Sequence, residues 1–333
     1  MPFSPPVMMS QETAEGAGTE EGRRAARVVR AHGDLTVAMA PGLCRAIAAA
    51  LADGASVVTV DLRDAKTADV VGLAALLQCT AAAERAETRF AVVAEDSLRD
   101  AVLAARVVDE IPFVTAVEAP ARHVADVEAP RLPEEAPLLA RTARIGLRRP
   151  TRDELALFGR WAEDRCLEEM VGSELPYQCR HLGPYHASVV REILGSPTSL
   201  TLLVEPLATP GHPVGFVRLY GIQLGAGIAF LETVVTTGES LRRGWGVEAS
   251  RLLLAYGLDV LGLSRVEAKA YSYNVLSANA LKRNGFQPEG VLRAAHRYQG
   301  QRWDILVFSI LAEEMWRQRT RERYPYLGFW TAP

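Results

Sequence analysis

Residues 231–258, LETVVTTGESLRRGWGVEASRLLLAYGL, place an apolar strand signal, two closely spaced glycines at Gly244 and Gly246, and a helix-periodic run in that order. This order leaves the free N–H groups of a helix's first turn facing outward beside a strand end, and such a site binds anions. Glycine suits a turn of this kind because a Cβ would keep a diphosphate from approaching the backbone. Arg242 and Arg243 add charge to the same locus. A glycine-rich turn alone fits many loops, so its context decides what it does.

The context lies downstream, in YNVLSANALKRNGF with Asn274 and Ser277, in Gly285-Phe286, and in PEGVLRAAHRYQGQRWDILVFSIL. Taken in order from about Ala143 to Leu311, these residues resemble the GNAT superfamily, and within it the RimJ/RimL-like branch that acetylates protein N-terminal amines and various small amines. The resemblance implies acetyl-CoA as acyl donor and no metal. Its diphosphate would rest on Leu241, Arg242, Arg243, Gly244, Trp245 and Gly246, and its pantetheine arm would pair like an extra strand with Val234, Val235 and Thr236. Asn274 and Ser277 would lie near the thioester. Leu241 departs from the Gln or Arg usual at the head of the loop, a departure that backbone binding tolerates.

Attack of an amine on a thioester is downhill once the amine is neutral and placed against the carbonyl, so the resemblance asks mainly for geometry and a proton acceptor. Glu232, on the strand that reaches the thioester, is the candidate base; the competing reading is a strand residue paired to a neighbouring cation. Where many members offer a Tyr to protonate the departing thiolate, Leu281 stands here, so the acid role falls to Ser277, whose alternative role is helix capping. The acceptor side is expected among Glu163, Asp164, Glu168, Glu169, Glu174 and Tyr177 around Trp161. A carboxylate-lined mouth would concentrate a cationic amine, and a solvated helix face would carry the same residues.

A second resemblance covers about Arg27 to Val117. HGDLTVAMAPGLCRAIAAALADGASVVTVDLRDAKTADVVGLAALLQ resembles a STAS domain through Gly-Asp-Leu, VDLRD and the Asp-x-x-Gly-Leu helix start. In switch-type members a serine directly after that Asp is phosphorylated; here Val70 follows Asp69, so no hydroxyl stands at the switch position. What remains is a docking surface for a protein partner, for the transferase in cis, or for a second copy in a homodimer. Asp69 also reads as a plain helix-start residue.

The elements follow from periodicity. Short β-branched runs alternate with Ala/Leu helices as far as Val117, and hairpin-like strands surround a strand, loop and helix unit after Ala143. The fold class is thus α/β in two domains, a STAS-like helix-covered mixed sheet followed by a GNAT-like α+β acyltransferase with a splayed central sheet. The boundaries expected are a disordered tail over 1–24, the STAS-like domain over 25–118, a linker over 119–140, the acetyltransferase over 141–313 and a C-terminal arm over 314–333.

Composition excludes other classes. A net charge of −3 offers no surplus to hold a nucleic-acid backbone, and no apolar run reaches membrane-spanning length. The arginines and aromatics of WRQRTRERYPYLGFW could stack on single strands but are expected to pack as the arm. Without a signal-peptide pattern at MPFSPPVMMSQET, a cytoplasmic location is expected. Cys44, Cys79, Cys166 and Cys179 show neither disulfide nor zinc spacing. The reading is an N-acetyltransferase with an interaction domain; its rivals are a non-catalytic adaptor that binds acyl-CoA and a protein partner, and a phosphorylation-driven regulator that Val70 disfavours.

Overall fold

The computed structural model describes residues 26–116, 121–128, 138–164, 167, 173–236 and 243–322. The tail over 1–24, Leu241, Arg242, Cys166, Glu168, Glu169 and the end of the arm lie outside the described residues.

The first half alternates strand and helix: β1 (Ala26–His32), α1 (Ala40–Ala52), β2 (Val57–Asp61), α2 (Val70–Arg85), β3 (Arg89–Val93), α3 (Asp96–Ala104) and β4 (Ala121–Glu128). Each helix carries the chain back to the end where the previous strand began, so neighbouring strands pair parallel. The sheet runs β3-β2-β1-β4 among the described residues, with all pairings parallel. Two expectations change here. The sheet is parallel where a mixed one was expected, and part of the stretch read as linker is β4, which reaches the β1 edge after the α3 crossover. Val29, Val58, Val60 and Val92 on the strands pack with Leu43, Ile47, Leu73 and Leu76 on the helices as its core.

Asp69 caps α2, its Oδ1 accepting from the N–H groups of Val71 and Gly72 at 3.0 and 2.9 Å. A Cβ at Gly72 would stand 2.2 Å from the carbonyl oxygen of Leu35, so glycine is the residue that lets α2 approach the β1–α1 loop. Cys44 and Cys79, from α1 and α2, meet with their sulfurs 3.6 Å apart.

The second half begins at β5 (Leu138–Arg141), inside the expected linker, and continues through β6 (Ile145–Arg148), α4 (Leu155–Ala162), α5 (Glu174–Leu182), α6 (Ala187–Leu194), β7 (Leu200–Pro206), β8 (Gly215–Gln223) and β9 (Ile228–Val235). Then follow α7 (Trp245–Asp259), β10 (Arg265–Tyr271), α8 (Val275–Arg283), β11 (Gln287–Tyr298), β12 (Gln301–Leu311) and α9 (Ala312–Glu322). The sheet order is β11-β12-β10-β9-β8-β7-β6-β5, antiparallel throughout except between β9 and β10.

Period-two alternation gives this sheet two working faces. Phe216 and Val234 join Phe158, Leu175, Cys179, Val189 and Ile193 under α4, α5 and α6, where the rings of Phe158 and Phe216 lie 5.2 Å apart. Val217, Leu219 and Leu231 point to the other face, in the core shared with Leu252, Leu253 and Tyr256 of α7. The expected C-terminal arm starts as α9, with Met315 buried but Trp316 half exposed, so that tryptophan is only partly covered.

Candidate active site

β9 and β10 run parallel and pair over three registers, Arg265 with Ile228, Val266 with Ala229 and Glu267 with Phe230. Beyond that point β9 continues to Val235 and β10 to Tyr271 with no further pairing between them. The strands therefore part toward their C-terminal ends. On its other edge β9 stays zipped to β8, Val234 opposite Phe216 and Val235 opposite Gly215.

Of the three residues expected to pair with pantetheine, two direct their backbone to β8. The Thr236 N–H donates to the carbonyl of Val214 at 2.9 Å, and its hydroxyl donates to the same oxygen at 2.8 Å. Strand alternation turns the polar backbone of Val234 the same way, toward β8, and that of Val235 toward the opening.

The glycine turn meets this opening. Gly244 adopts a left-handed conformation with φ 77° and begins α7; the first intrahelical donation is from the Glu248 N–H to Gly244 O at 3.1 Å. The N–H groups of Trp245, Gly246 and Val247 thus precede the helical ladder. A Cβ on Gly246 would lie 3.3 Å from Val235 Cγ2 and 3.5 Å from Thr233 Cγ2, which places the helix start directly against the free end of β9. Thr233 and Ser250 share a 2.7 Å hydroxyl contact that pins the two elements together. Arg243 is exposed, its guanidinium over the Trp245 ring at 5.0 Å.

Arg144, not singled out in the sequence, braces the turn. From the β5–β6 connection it donates to the Arg243 carbonyl at 3.2 Å and, through Nε, to Glu248 at 3.0 Å. Its charge stands beside the helix N-terminus.

The opposite face carries a buried polar row, Thr201 on β7, Arg218 on β8 and Glu232 on β9, aligned in register across three strands. Arg218 is 4% exposed; its Nε lies 3.1 Å from Glu232 Oε2, and its Nη2 3.6 Å from Glu192. The Nε contact joins the charges without hydrogen-bond alignment. Among the described residues Arg218 Nε and Nη1, Glu232 Oε1, Thr201 Oγ1 and Ser173 Oγ are buried without a hydrogen-bond partner. Burial pushes the Glu232 carboxyl above its ordinary range, and the neighbouring Arg218 charge opposes it. The pairing foreseen as the alternative role of Glu232 is present, and one of its oxygens remains uncommitted.

Arg218 also forms the floor of a cleft of about 370 Å³ between α5 and α6, whose walls include Glu174, Gln178, Arg191 and Glu192. Of the acidic run expected here, Glu174 reaches the cleft, while Glu163 is exposed at the end of α4 and Tyr177 is exposed on α5. Glu192 was not singled out. Arg218 had a signal: an arginine inside the apolar run VGFVRLYGI must find a counter-charge when the strand is buried.

At the end of β10, Asn274 is 2% exposed and caps α8, its Oδ1 accepting from the Ser277 N–H at 3.0 Å. Capping thus belongs to Asn274 rather than to the Ser277 side chain, and Ser277 sits half-buried in the first turn at the open end of the sheet. The same end holds an aromatic group that sequence spacing did not reveal. Tyr271 stacks on His296 at 3.8 Å, Tyr273 contacts Tyr298 and Trp303, and the Tyr273 hydroxyl lies 3.2 Å from His296 Nε2. Among the described residues no group of three or more His, Cys, Asp or Glu side chains is arranged to hold a metal ion, and no helix is long and apolar enough to cross a membrane.

A parted sheet with a glycine-headed helix at the gap brings unpaired amide donors and an open strand edge to one opening of an α+β domain. Residues 144–287 match the acetyltransferase (GNAT) domain family, and residues 19–111 match the family described as Mlab, STAS domain; the chain joins a STAS domain to a GNAT domain. Two curated relatives are similar over part of this chain. An uncharacterized N-acetyltransferase p20 of Bacillus licheniformis is 38% identical over 72 residues, 22% of this chain and 40% of the relative. An uncharacterized N-acetyltransferase YoaA of Bacillus subtilis (strain 168) is 38% identical over 73 residues, 22% of this chain and 41% of the relative. The match thus spans about two fifths of the length of these relatives.

Among solved structures, spermidine N-acetyltransferase from Vibrio cholerae in complex with CoA and spermine aligns over 53% of this chain and 99% of its own, at 17% identity and a TM-score of 0.45. Mycobacterium smegmatis RimJ in complex with CoA-disulfide aligns over 54% of this chain and 90% of its own, at 22% identity and a TM-score of 0.45.

Proposed function

We propose that this chain is an acetyl-CoA-dependent N-acetyltransferase that acts on a primary amine, with the STAS domain as an interaction module. The observation that carries the reading is the parting of β9 from β10 beside the glycine turn of α7. The diphosphate of the donor would accept from the free N–H groups of Trp245, Gly246 and Val247, with Arg243 and Arg144 supplying charge. The amides of the pantetheine arm would pair with Val235 at the open edge.

The thioester carbonyl then comes to the point where the strands part, and the amine enters from the Arg218 cleft on the opposite face. Glu232 takes a proton from the ammonium, directly or through one water. The neutral nitrogen attacks the carbonyl carbon, and collapse of the tetrahedral intermediate breaks the C–S bond. The second nitrogen proton leaves toward the Ser277 hydroxyl as Ser277 gives its own proton to the departing thiolate. The products are an amide, the free thiol of coenzyme A and one proton held at Glu232.

A non-catalytic sensor of acyl-CoA would bind the same ligand, so turnover separates the readings. The full chain with acetyl-CoA and a panel of primary amines is expected to release free thiol in an amine-dependent way; release no faster than thioester hydrolysis for every amine would favour the adaptor. Ser277→Ala is expected to lower kcat by about 100-fold, with the Kd for coenzyme A unchanged. An unaltered kcat would remove Ser277 from the mechanism.

A further inference from the structure

A helix lying on a sheet buries one stripe and exposes the rest. The start of α2 departs from this rule, since every residue from Val70 to Leu76 is buried, those other than Gly72 at 4% exposure or less. The STAS sheet covers only one side of it. The GNAT domain covers the other: the Val70 N–H donates to the carbonyl of Ser196 at 3.2 Å, and Gln78 Nε2 donates to the carbonyl of Val260 at 2.7 Å.

The contact closes on a buried charge. Asp69, 2% exposed, accepts through Oδ1 from the two capping amides of α2 and through Oδ2 from the Val37 N–H at 3.1 Å. The same Oδ2 accepts from Arg149 Nη1 at 2.6 Å. The other arm of that guanidinium, Nη2, donates to the carbonyl of Leu194 at 2.7 Å. Leu194 is the last residue of α6, where a cation satisfies an orphan carbonyl and complements the helix dipole. α6 in turn supplies Arg191 and Glu192 to the cleft, and Glu192 lies 3.6 Å from Arg218.

We infer that the α2 surface of the STAS domain is an internal dock for the GNAT domain, and that Asp69 and Arg149 are positioning residues that set α6 at the wall of the acceptor cleft. The surface left open by the sequence reading to a partner, to the transferase or to a second copy is thus used in cis. Val70 fits this role, because a phosphorylated side chain there would have to displace the Ser196 segment that its backbone binds. The positioning half of the inference rests on the proposed use of the Arg218 cleft by the acceptor; the docking half does not.

The test uses the full chain carrying Asp69→Asn, Arg149→Met or both, followed by hydrogen exchange and kinetics. Asp69→Asn retains an oxygen able to cap α2 and removes the charge, while Arg149→Met leaves the cap untouched. In each variant, exchange in residues 70–78 and in residues 187–195 is expected to rise together by about tenfold, with the double variant no worse than the singles, as coupled partners require. Faster exchange in α2 alone, or additive effects, would overturn the dock. The KM for the acceptor is expected to rise about fivefold with the KM for acetyl-CoA unchanged; an unchanged acceptor KM despite faster exchange in α6 would overturn the positioning role. If the wild-type chain turns over no amine, the proposed function fails while the exchange experiment still decides the dock.

Discussion

Glu232→Gln is expected to lower kcat by about 100-fold or more while leaving coenzyme A affinity within about twofold, because in the proposed mechanism the carboxylate removes the ammonium proton and makes no contact with the donor. The amide is isosteric and can still approach Arg218 Nε, now 3.1 Å from Glu232 Oε2, so the buried row keeps its shape. The pH dependence supplies a second readout. Burial raises the pKa of Glu232 in the fold, so the group stays protonated at pH values where an ordinary carboxyl has already ionised. Only the ionised form accepts a proton. Activity should therefore rise with pH along a limb set above the usual carboxylate range, and that limb should vanish in Glu232→Gln. A pH–rate profile of kcat/KM that keeps the same acid limb in the variant would assign the base elsewhere.

Gly246→Asp should weaken coenzyme A binding severely without unfolding the chain. An acidic residue in the first turn of a helix complements the dipole and helps the helix itself. At this position the added Cβ would touch Val235 at 3.3 Å, and the carboxylate would occupy the space and capture the N–H groups offered to the diphosphate. A loss of about 3 kcal/mol of anion recognition corresponds to an increase in Kd on the order of 100-fold. Calorimetric titration with coenzyme A measures the loss, and thermal unfolding serves as the control for fold. An unchanged Kd would place the ligand away from α7.

Much of the local structure of the candidate site was legible because it depends on backbone and spacing. Gly244 and Gly246 before an apolar-periodic helix mark a tight turn into a helix N-terminus, and the downstream Asn274, Ser277 and Gly285-Phe286 supplied the context that a glycine turn alone lacks. That Asn274 rather than Ser277 caps α8 was not legible, since Asn and Ser cap equally well and only the register of the turn decides which side chain bends back. β4 was hidden by its position at a sheet edge. Of its described side chains only Val127 is buried, so HVADVE shows the polarity of a linker rather than the apolar run of a covered strand. Arg218 and Glu232 stand fourteen positions apart in chain numbering but opposite each other in the hairpin, a pairing that requires the β8–β9 register. Asp69 read as a helix-start residue, and it is one; its second partner, Arg149, lies in the other domain, and no local pattern could join the two.

The STAS and GNAT halves share one apolar core, with Val70, Leu73 and Leu76 of α2 in the same cluster as Leu252, Leu253 and Tyr256 of α7. A truncation that separates the halves therefore exposes apolar surface on both, and kinetics on isolated domains would report that exposure as well as any regulation.

The most direct measurement is a crystal structure of the full chain with coenzyme A. Its diphosphate oxygens are expected within hydrogen-bond distance of the amides of Trp245, Gly246 and Val247, with a pantetheine amide paired to the Val235 backbone and the sulfur at the point where β9 leaves β10. Coenzyme A bound away from that gap, or the gap closed by continued pairing of β9 with β10, would contradict the assignment of this sheet as the site of acyl transfer.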